Sequence, residues 1–338
     1  MKKTLVAVAA LAASAAFAQS SVTLYGVADA YFGSEKIDGV NSNTVVNSGG
    51  LSQSRIGLSV KEDLGSGLSA FAIIEGNVAL DQGAGATSDR KSIVGLSGGF
   101  GAVSLGQQQT PMQDVLENVI DAQGNSAFST VNAAAVGNVA ASGATFFSMG
   151  NSVRYDTPNF DGFSAAVQVG FGENKTAATS AGRGVSLNLS YANGPVAVAL
   201  AHESIKGNTV NPLTASSFSV IPVPAGTTVK ATALGGSYDF GVAKLNLGYG
   251  RLSATGANSA REYNIGVSVP VDAFTFVGQY SQSKVSNVPG NSKSFALEGR
   301  YALSKRTTAY AGYNNTKDDR AALGAKSNRF GVGIRHVF

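Results

Sequence analysis

Few residues in this chain are equipped for covalent or metal chemistry. There are two histidines and no cysteine among 338 residues. A nucleophilic enzyme needs an activated side chain or water beside a base. His336 falls on the apolar face of the last strand-like run and His202 sits near a loop, so neither is placed for a Ser–His–Asp arrangement. No cysteine or histidine cluster offers a transition-metal site, and no cofactor is expected. The runs GSGL, GAGA and GVGI open no helix after a parallel strand, so they are turn or wall glycines, not phosphate loops. What remains is electrostatic chemistry. Arg55, Glu75, Arg90, Lys91 and Arg154 lie in strand-like segments, and Asp114, Glu117 and Asp121 lie in a helical one. Opposed charges across a narrow wet passage create a transverse field, the balance of signs biases which ions cross, and narrowness raises the cost of shedding hydration. The same residues in a bland role would form lumen salt bridges that hold a loop, with the acids as a solvated helix face.

The segment carrying the acids, residues 107–150, is the one that does not alternate. Within it, MQDVLENVID (112–121) places Met112, Val115, Leu116, Val119 and Ile120 at helical spacing. Asp114, Glu117 and Asp121 cluster on the opposite face within roughly 60° on a helical wheel. Thr110, Pro111 and Gln113 supply the start signal: a cap, proline at the first position and glutamine near it. A long insertion of small polar residues follows, which is uncommon in a compact domain and usually functional. The segment reads as a helix and loop folded into the lumen of a β-barrel, narrowing its pore.

Composition agrees with a barrel. Residues 1–18 read as a cleaved signal peptide: Lys2 and Lys3, an apolar run, then Ala16-Phe17-Ala18. Losing those two lysines takes the formal charge from +4 to +2, so the basic balance is no argument for a nucleic-acid partner. No later stretch is long and apolar enough for a membrane helix. The 42 glycines, with abundant Ala, Ser and Asn, suit a closed sheet with one greasy and one wet face. Residues 19–338 are long enough for a single barrel of about sixteen strands at ~10 residues each.

The strands themselves alternate. In 54–60, Ile56, Leu58 and Val60 share one face and Arg55 the other; in 68–77, Leu68, Ala70, Ala72 and Ile74 oppose Phe71, Ile73 and Glu75. Arg55 and Glu75 thus fall on the non-lipid face, as does Arg154 between Val153 and Tyr155. Arg90 and Lys91 are adjacent, so one of them points inward whichever register holds. A loop is expected over 79–89, and another over 205–228, where Pro212, Pro222 and Pro224 disfavour ladder pairing. The count is sixteen antiparallel strands, with seven short turns and eight longer loops in alternation: an all-β transmembrane barrel in one domain, with short periplasmic turns.

SRIGLSVKEDLGSGLSAFAIIEG resembles the general diffusion porins of Gram-negative outer membranes, of the trimeric β-proteobacterial and Neisseria type. VTLYGVADA, RKSIVGLSGGFGAVSLGQ, SVRYDTPNFDGFSAAVQ, YALSKRTTAYAGY and the terminal GVGIRHVF follow the same family in order. The resemblance implies a homotrimer of water-filled pores in outer-membrane lipid, each narrowed by its third loop. It implies a constriction where wall arginines at Arg55, Arg90 and Arg154, with Glu75 beside them, face acids on that loop. It also implies that Phe338 is the signal read by the outer-membrane assembly machinery. One departure is Gln107, where many relatives carry arginine at the entry to the loop, which weakens the expected anion preference. The leading function is therefore passive diffusion of ions and small hydrophilic solutes with modest anion preference. A channel preferring small anions is the alternative and needs a longer ladder of cations, with Lys244, Arg251, Lys293 and Arg300 as candidate rungs. A non-conducting adhesin would have a plugged lumen.

Overall fold

Period-two alternation governs the wall, and it runs opposite to that of a soluble protein. Leu247, Ile265, Phe276, Leu297 and Ile334 point outward and are exposed, while Asn264, Gln279, Ser281, Glu298 and Asn314 point inward and are buried. An apolar outer band around a polar interior is the pattern of a barrel in lipid. A computed structural model describes residues 20–37, 41–131, 148–172, 175, 181–207, 227–320 and 326–338. The signal-peptide segment 1–18, residues 132–147 of the inserted loop and the proline-bearing stretch 208–226 lie outside the described residues.

The wall begins with β1 (Ser21–Ile37), β2 (Asn43–Ser48), β3 (Arg55–Gly65) and β4 (Leu68–Ala79). β5 (Ala84–Gly98) and β6 (Gly101–Gln109) lead into the inserted segment, which contains the short helix α1 (Pro111–Val115). After it come β7 (Ser148–Asp156), β8 (Phe163–Phe171), β9 (Arg183–Asn193) and β10 (Val196–Lys206). β11 (Thr228–Asp239), β12 (Lys244–Ala254), β13 (Ala260–Val271) and β14 (Phe274–Val285) continue the meander. β15 (Ser292–Ala302), β16 (Thr307–Asp318) and β17 (Lys326–Val337) complete it. All pairings are antiparallel, and β17 returns to β1 with Val27 opposite Val337. Gly26 and Phe338 close the seam by exchanging backbone hydrogen bonds of 3.0 and 3.1 Å. A closed sheet leaves no unpaired edge, which the hydrocarbon would penalise.

Seventeen segments make sixteen wall strands, because β2 and β3 share one position. Both pair with β1: β2 opposite Ala30–Glu35 and β3 opposite Ser21–Val27. Between them, residues 49–54 leave the wall and turn inward. Asp29 holds that turn, its carboxylate accepting from the backbone N–H of Gly50 (3.0 Å), Leu51 (2.9 Å) and Ser52 (2.8 Å) and from the Tyr310 hydroxyl (2.5 Å). The sequence signal for this strand is weak, since NTVVNS is short and its two apolar residues, Val45 and Val46, are adjacent and do not alternate. A second difference concerns the loop expected over 79–89. β4 and β5 extend past their clear alternation and leave only residues 80–83 between them, so the long-loop rule does not hold at this connection.

Candidate pore constriction

The inserted segment is helical where its pattern says so. Thr110 caps it, its hydroxyl accepting from the Gln113 N–H at 3.2 Å, and Pro111 occupies the first turn. α1 runs on into a π-helical turn, Leu116–Ile120, and stops at Asp121, whose backbone is extended (φ −83°, ψ 106°). Met112, Val115, Leu116 and Ile120 are buried against the inner wall, where Ala199, Ala201, Val229, Ala233 and Leu252 form a matching apolar patch. Apolar side chains on the lumen face make sense only under a lid, and the loop is that lid. Gly235 and Gly248 lie beneath Ile120, and Gly312 beneath Phe128; a Cβ at any of them would overlap the loop side chain above.

Wall side chains satisfy the loop backbone along its path. Ser186 accepts from the Met112 N–H at 3.1 Å, Asn188 donates to Pro111 O at 3.0 Å, and Asn246 donates to Val119 O at 2.8 Å. Gln279 accepts from the Ala122 N–H at 2.8 Å and Asn314 donates to Phe128 O at 2.9 Å. Arg329 donates to Ala127 O, and the Ala127 N–H reaches Gly50 O on the inward turn at 2.8 Å. The described part of the segment thus follows the inner wall from β9 round to β17. Gly248→Val is expected to push Ile120 off the wall and alter single-channel conductance while the folded barrel persists. Unchanged conductance in planar bilayers would show that the glycine groove does not position the loop.

The opposite arc, β3 to β5, carries the basic cluster. Glu75 accepts from Arg90 Nε at 2.7 Å and from the Tyr25 hydroxyl at 2.8 Å, with Arg55 Nε 3.7 Å away. Arg55 also donates to Gln53 O at 3.0 Å, and Arg90 to the Gln53 side chain. Arg90 and Lys91 both serve this side. Lys91 stands opposite Glu75 in register, while Asn77 stands opposite Thr87, so the extra residues on β5 bulge and let Arg90 turn inward as well. Arg335, donating to Ser52 Oγ at 2.9 Å, adds a cation at this arc.

The three helix acids part company. Asp114 pairs with Arg154 at 2.7 Å, and Arg154 also holds Asp156 at 2.6 Å and donates to Gln109 O at 2.9 Å. Glu117 accepts from Gln109 at 2.6 Å and lies within the electrostatic reach of Arg90 and Arg55. Burial pushes both carboxyls above the usual carboxylate range, against the pull of these cations. Asp121 instead turns into the loop. It accepts from the N–H groups of Gln123 (2.9 Å) and Asn125 (2.8 Å), from Ser129 (2.7 Å) and from Gln279 (3.0 Å), and is 6% exposed. The extended backbone at Asp121 takes it off the helical wheel that groups it with the other two.

Of the four candidate rungs, Lys244 shares the inward face of β12 with Asn246, and Arg300 is bound to Glu298 at 2.5 Å and to Gln123 O at 2.9 Å. Arg251 and Lys293 lie on the outer face of the wall, so they are not lumen rungs. Among the described residues no group of three or more His, Cys, Asp or Glu is placed to hold a metal ion.

This geometry, a closed barrel with a loop folded along its inner wall and two of the loop's acids, Asp114 and Glu117, turned toward wall arginines, meets its relatives through the family model of Gram-negative porins, which matches residues 4–321. The chain is a Gram-negative porin. Outer membrane porin protein 32 of Delftia acidovorans is 34% identical to it over the full length of both chains. An outer membrane porin protein of Bordetella pertussis is 31% identical, again over both full lengths. The solved structure of the anion-selective porin from Comamonas acidovorans superposes with a TM-score of 0.78 at 28% identity, covering 95% of this porin and all of that chain. OmpT of Vibrio cholerae in its trimer form gives a TM-score of 0.68 at 18% identity, a likeness of fold alone. The porin is an outer-membrane channel for passive diffusion of ions and small hydrophilic solutes. Its short turns therefore lie on the periplasmic side and its long loops outside.

Proposed function

We propose that the porin is a weakly anion-preferring pore whose selectivity is set between α1 and the basic cluster of β3 to β5. The observation that carries this is the sharing of Glu75. One carboxylate lies between Arg90 and Arg55, with Lys91 opposite it in register, so positive charge is in excess on that arc. Asp114 and Glu117 on the helix oppose that excess and keep the preference small. Gln107, in place of a further arginine, works in the same direction. Transport by diffusion through this field, without catalysis, needs no group beyond those named. The Comamonas relative, described as anion-selective, supports the sign. The test is the reversal potential of refolded protein in a planar bilayer under a salt gradient. A small anion-side potential is expected, and a cation-side potential would mean that the helix acids dominate.

The acids give this reading a pH dependence. Their carboxyls titrate above the ordinary carboxylate range, so protons neutralise them before ordinary surface carboxylates as pH falls. Removing negative charge from the helix leaves the arginines unopposed. Anion preference should therefore grow as pH is lowered from neutral into the mildly acidic range, and a reversal potential constant over that range would contradict it. A ladder-guided channel for one class of small anion has less support, since two of its four rungs face outward. Homotrimers are also proposed here, supported by the trimer form of the Vibrio relative, and conductance steps in threes would bear on them. Phe338, which ends the seam against Gly26, is proposed as the mark read by the assembly machinery. Deleting it should sharply lower the amount of folded porin in the outer membrane while refolding in detergent continues; equal loss in both would make its role purely structural.

A further inference from the structure

The inner face of β13 to β15 carries a group of oxygens that the pore mechanism does not use. Glu262 stands directly opposite Ser283, and Ser283 opposite Ser292. One step nearer the periplasm on the same face, Asn264 stands opposite Ser281, and Ser281 opposite Ser294. Directly opposed side chains lie about 5 Å apart at Cβ, so these residues form one patch. Glu262, Asn264, Ser283 and Ser292 are each more than nine-tenths buried. Half of the patch is satisfied by the protein. Asn264 donates to Ser281 Oγ at 2.7 Å, and Ser281 Oγ lies 2.6 Å from the Thr130 hydroxyl of the inserted loop. Ser294 is bound by Thr316 at 2.9 Å and by Asn314 at 3.1 Å. The other half is not. Ser283 Oγ, Ser292 Oγ and Asn264 Oδ1 have no hydrogen-bond partner among the described residues. Buried polar atoms in that state are rare in folded proteins and point to an ion or a water.

Chemistry narrows the choice. All three atoms are oxygens, and the Asn264 carbonyl can only accept. The charged residue of the patch is a carboxylate, Glu262, so an anion would meet like charge at close range. An apolar guest would leave every oxygen as it is. Carboxylate, amide carbonyl and hydroxyl oxygens are the donor set of a hard cation. Calcium takes about six to eight such ligands in loose geometry, with water completing the set, and so tolerates contributions from three strands. A full negative charge beside three neutral oxygens favours such an ion over a neutral water. Asp318, opposite Ser292, is not counted, since Arg320 already holds its carboxylate at 2.7 Å.

We propose that this patch binds a calcium ion, with Glu262, Asn264, Ser283 and Ser292 as its protein ligands. The site lies beside the point where Thr130 fastens the inserted loop to the wall. A single acid places its affinity at the weak end of the calcium range, on the order of 10⁻³ M. The probe is calcium alone, titrated as the radioactive ion by equilibrium dialysis into refolded porin that has been stripped with a chelator in zwitterionic detergent. Glu262→Gln should weaken binding about ten-fold, and so should Ser283→Ala combined with Ser292→Ala. The serine pair changes no charge, so a loss there separates ligation from general attraction to acids. Asp272→Asn, which removes an acid from a periplasmic turn, should bind as the parent does. Folding of each variant is read from its heat-modifiable mobility on gels. Should neither variant fold, anomalous diffraction from crystals of the unaltered porin grown with calcium should show the ion about 2.4 Å from Asn264 Oδ1 and Ser283 Oγ. Equal binding by a folded serine pair or a folded Glu262→Gln variant, or water alone at that position in the crystals, would overturn the assignment.

Discussion

Excising residues 111–120 should raise single-channel conductance about two-fold or more, because a helix ~10 Å across is removed from the lumen of a single barrel. The barrel has its own reasons to survive the loss. Its ladder is closed by β1 and β17, and the backbone hydrogen bonds of the wall do not depend on the helix. What the excision exposes is the inner patch around Ala199, Ala201 and Ala233, whose small side chains make it cheap to wet. The remaining loop also keeps anchors at Gln123, Phe128 and Ala127, so the chain is not simply released into the pore. Conductance that stays at the parent value in a folded variant would mean that the loop does not narrow the passage.

The largest change in selectivity is expected from the wall. Arg55→Gln with Arg90→Gln removes two positive charges around Glu75 and leaves Lys91 and Arg335 on that arc outnumbered by Glu75, Asp114 and Glu117. The reversal potential should then change sign, from the anion side to the cation side. A ten-fold change in permeability ratio corresponds to only ~1.4 kcal/mol, which two charges in a narrow lumen readily supply. Ionic strength decides whether the effect is seen, because the Debye length is about 10 Å at 0.1 M but ~3 Å at 1 M. Measured at 0.1 M, an unchanged sign would reduce both arginines to salt bridges that hold Glu75.

Much of this was legible in the residues, and the exceptions have physical causes. Strands with long clean alternation, such as KLNLGYG and REYNIGVSV, are found where the period of two puts them. The start of the loop helix is legible because capping is local: Thr110 and Pro111 need no tertiary partner to do their work. Its end is not, because Asp121 is drawn into an extended conformation by Gln279 and Ser129, from the wall and from its own loop. The inward orientation of both Arg90 and Lys91 depends on a bulge set by the pairing of β4 with β5, which no single strand encodes. Arg251 and Lys293 are a different matter. Alternation with Leu247 and Tyr249, and with Phe295, already assigns them to the outer face, and reading them as lumen rungs ignores that period. Arg335 was equally accessible, since the last strand puts Ile334 and His336 outward and the residue between them inward.

The inward turn held by Asp29 bears on the order of events when the chain is made. Its partners come from both ends of the chain, for Tyr310 is 281 residues away. The tip of the inserted loop depends on the same late residues: Gln123 is bound to Glu298 across 175 positions, Phe128 to Asn314 across 186 and Ala127 to Arg329 across 202. Contacts between segments so distant form only after a large loop of chain has been closed. The tip of the loop therefore cannot be secured until the final three strands arrive. A nascent barrel arrested before that point lacks the fixings of its own sieve, and maturation of the permeability barrier coincides with completion of the polypeptide.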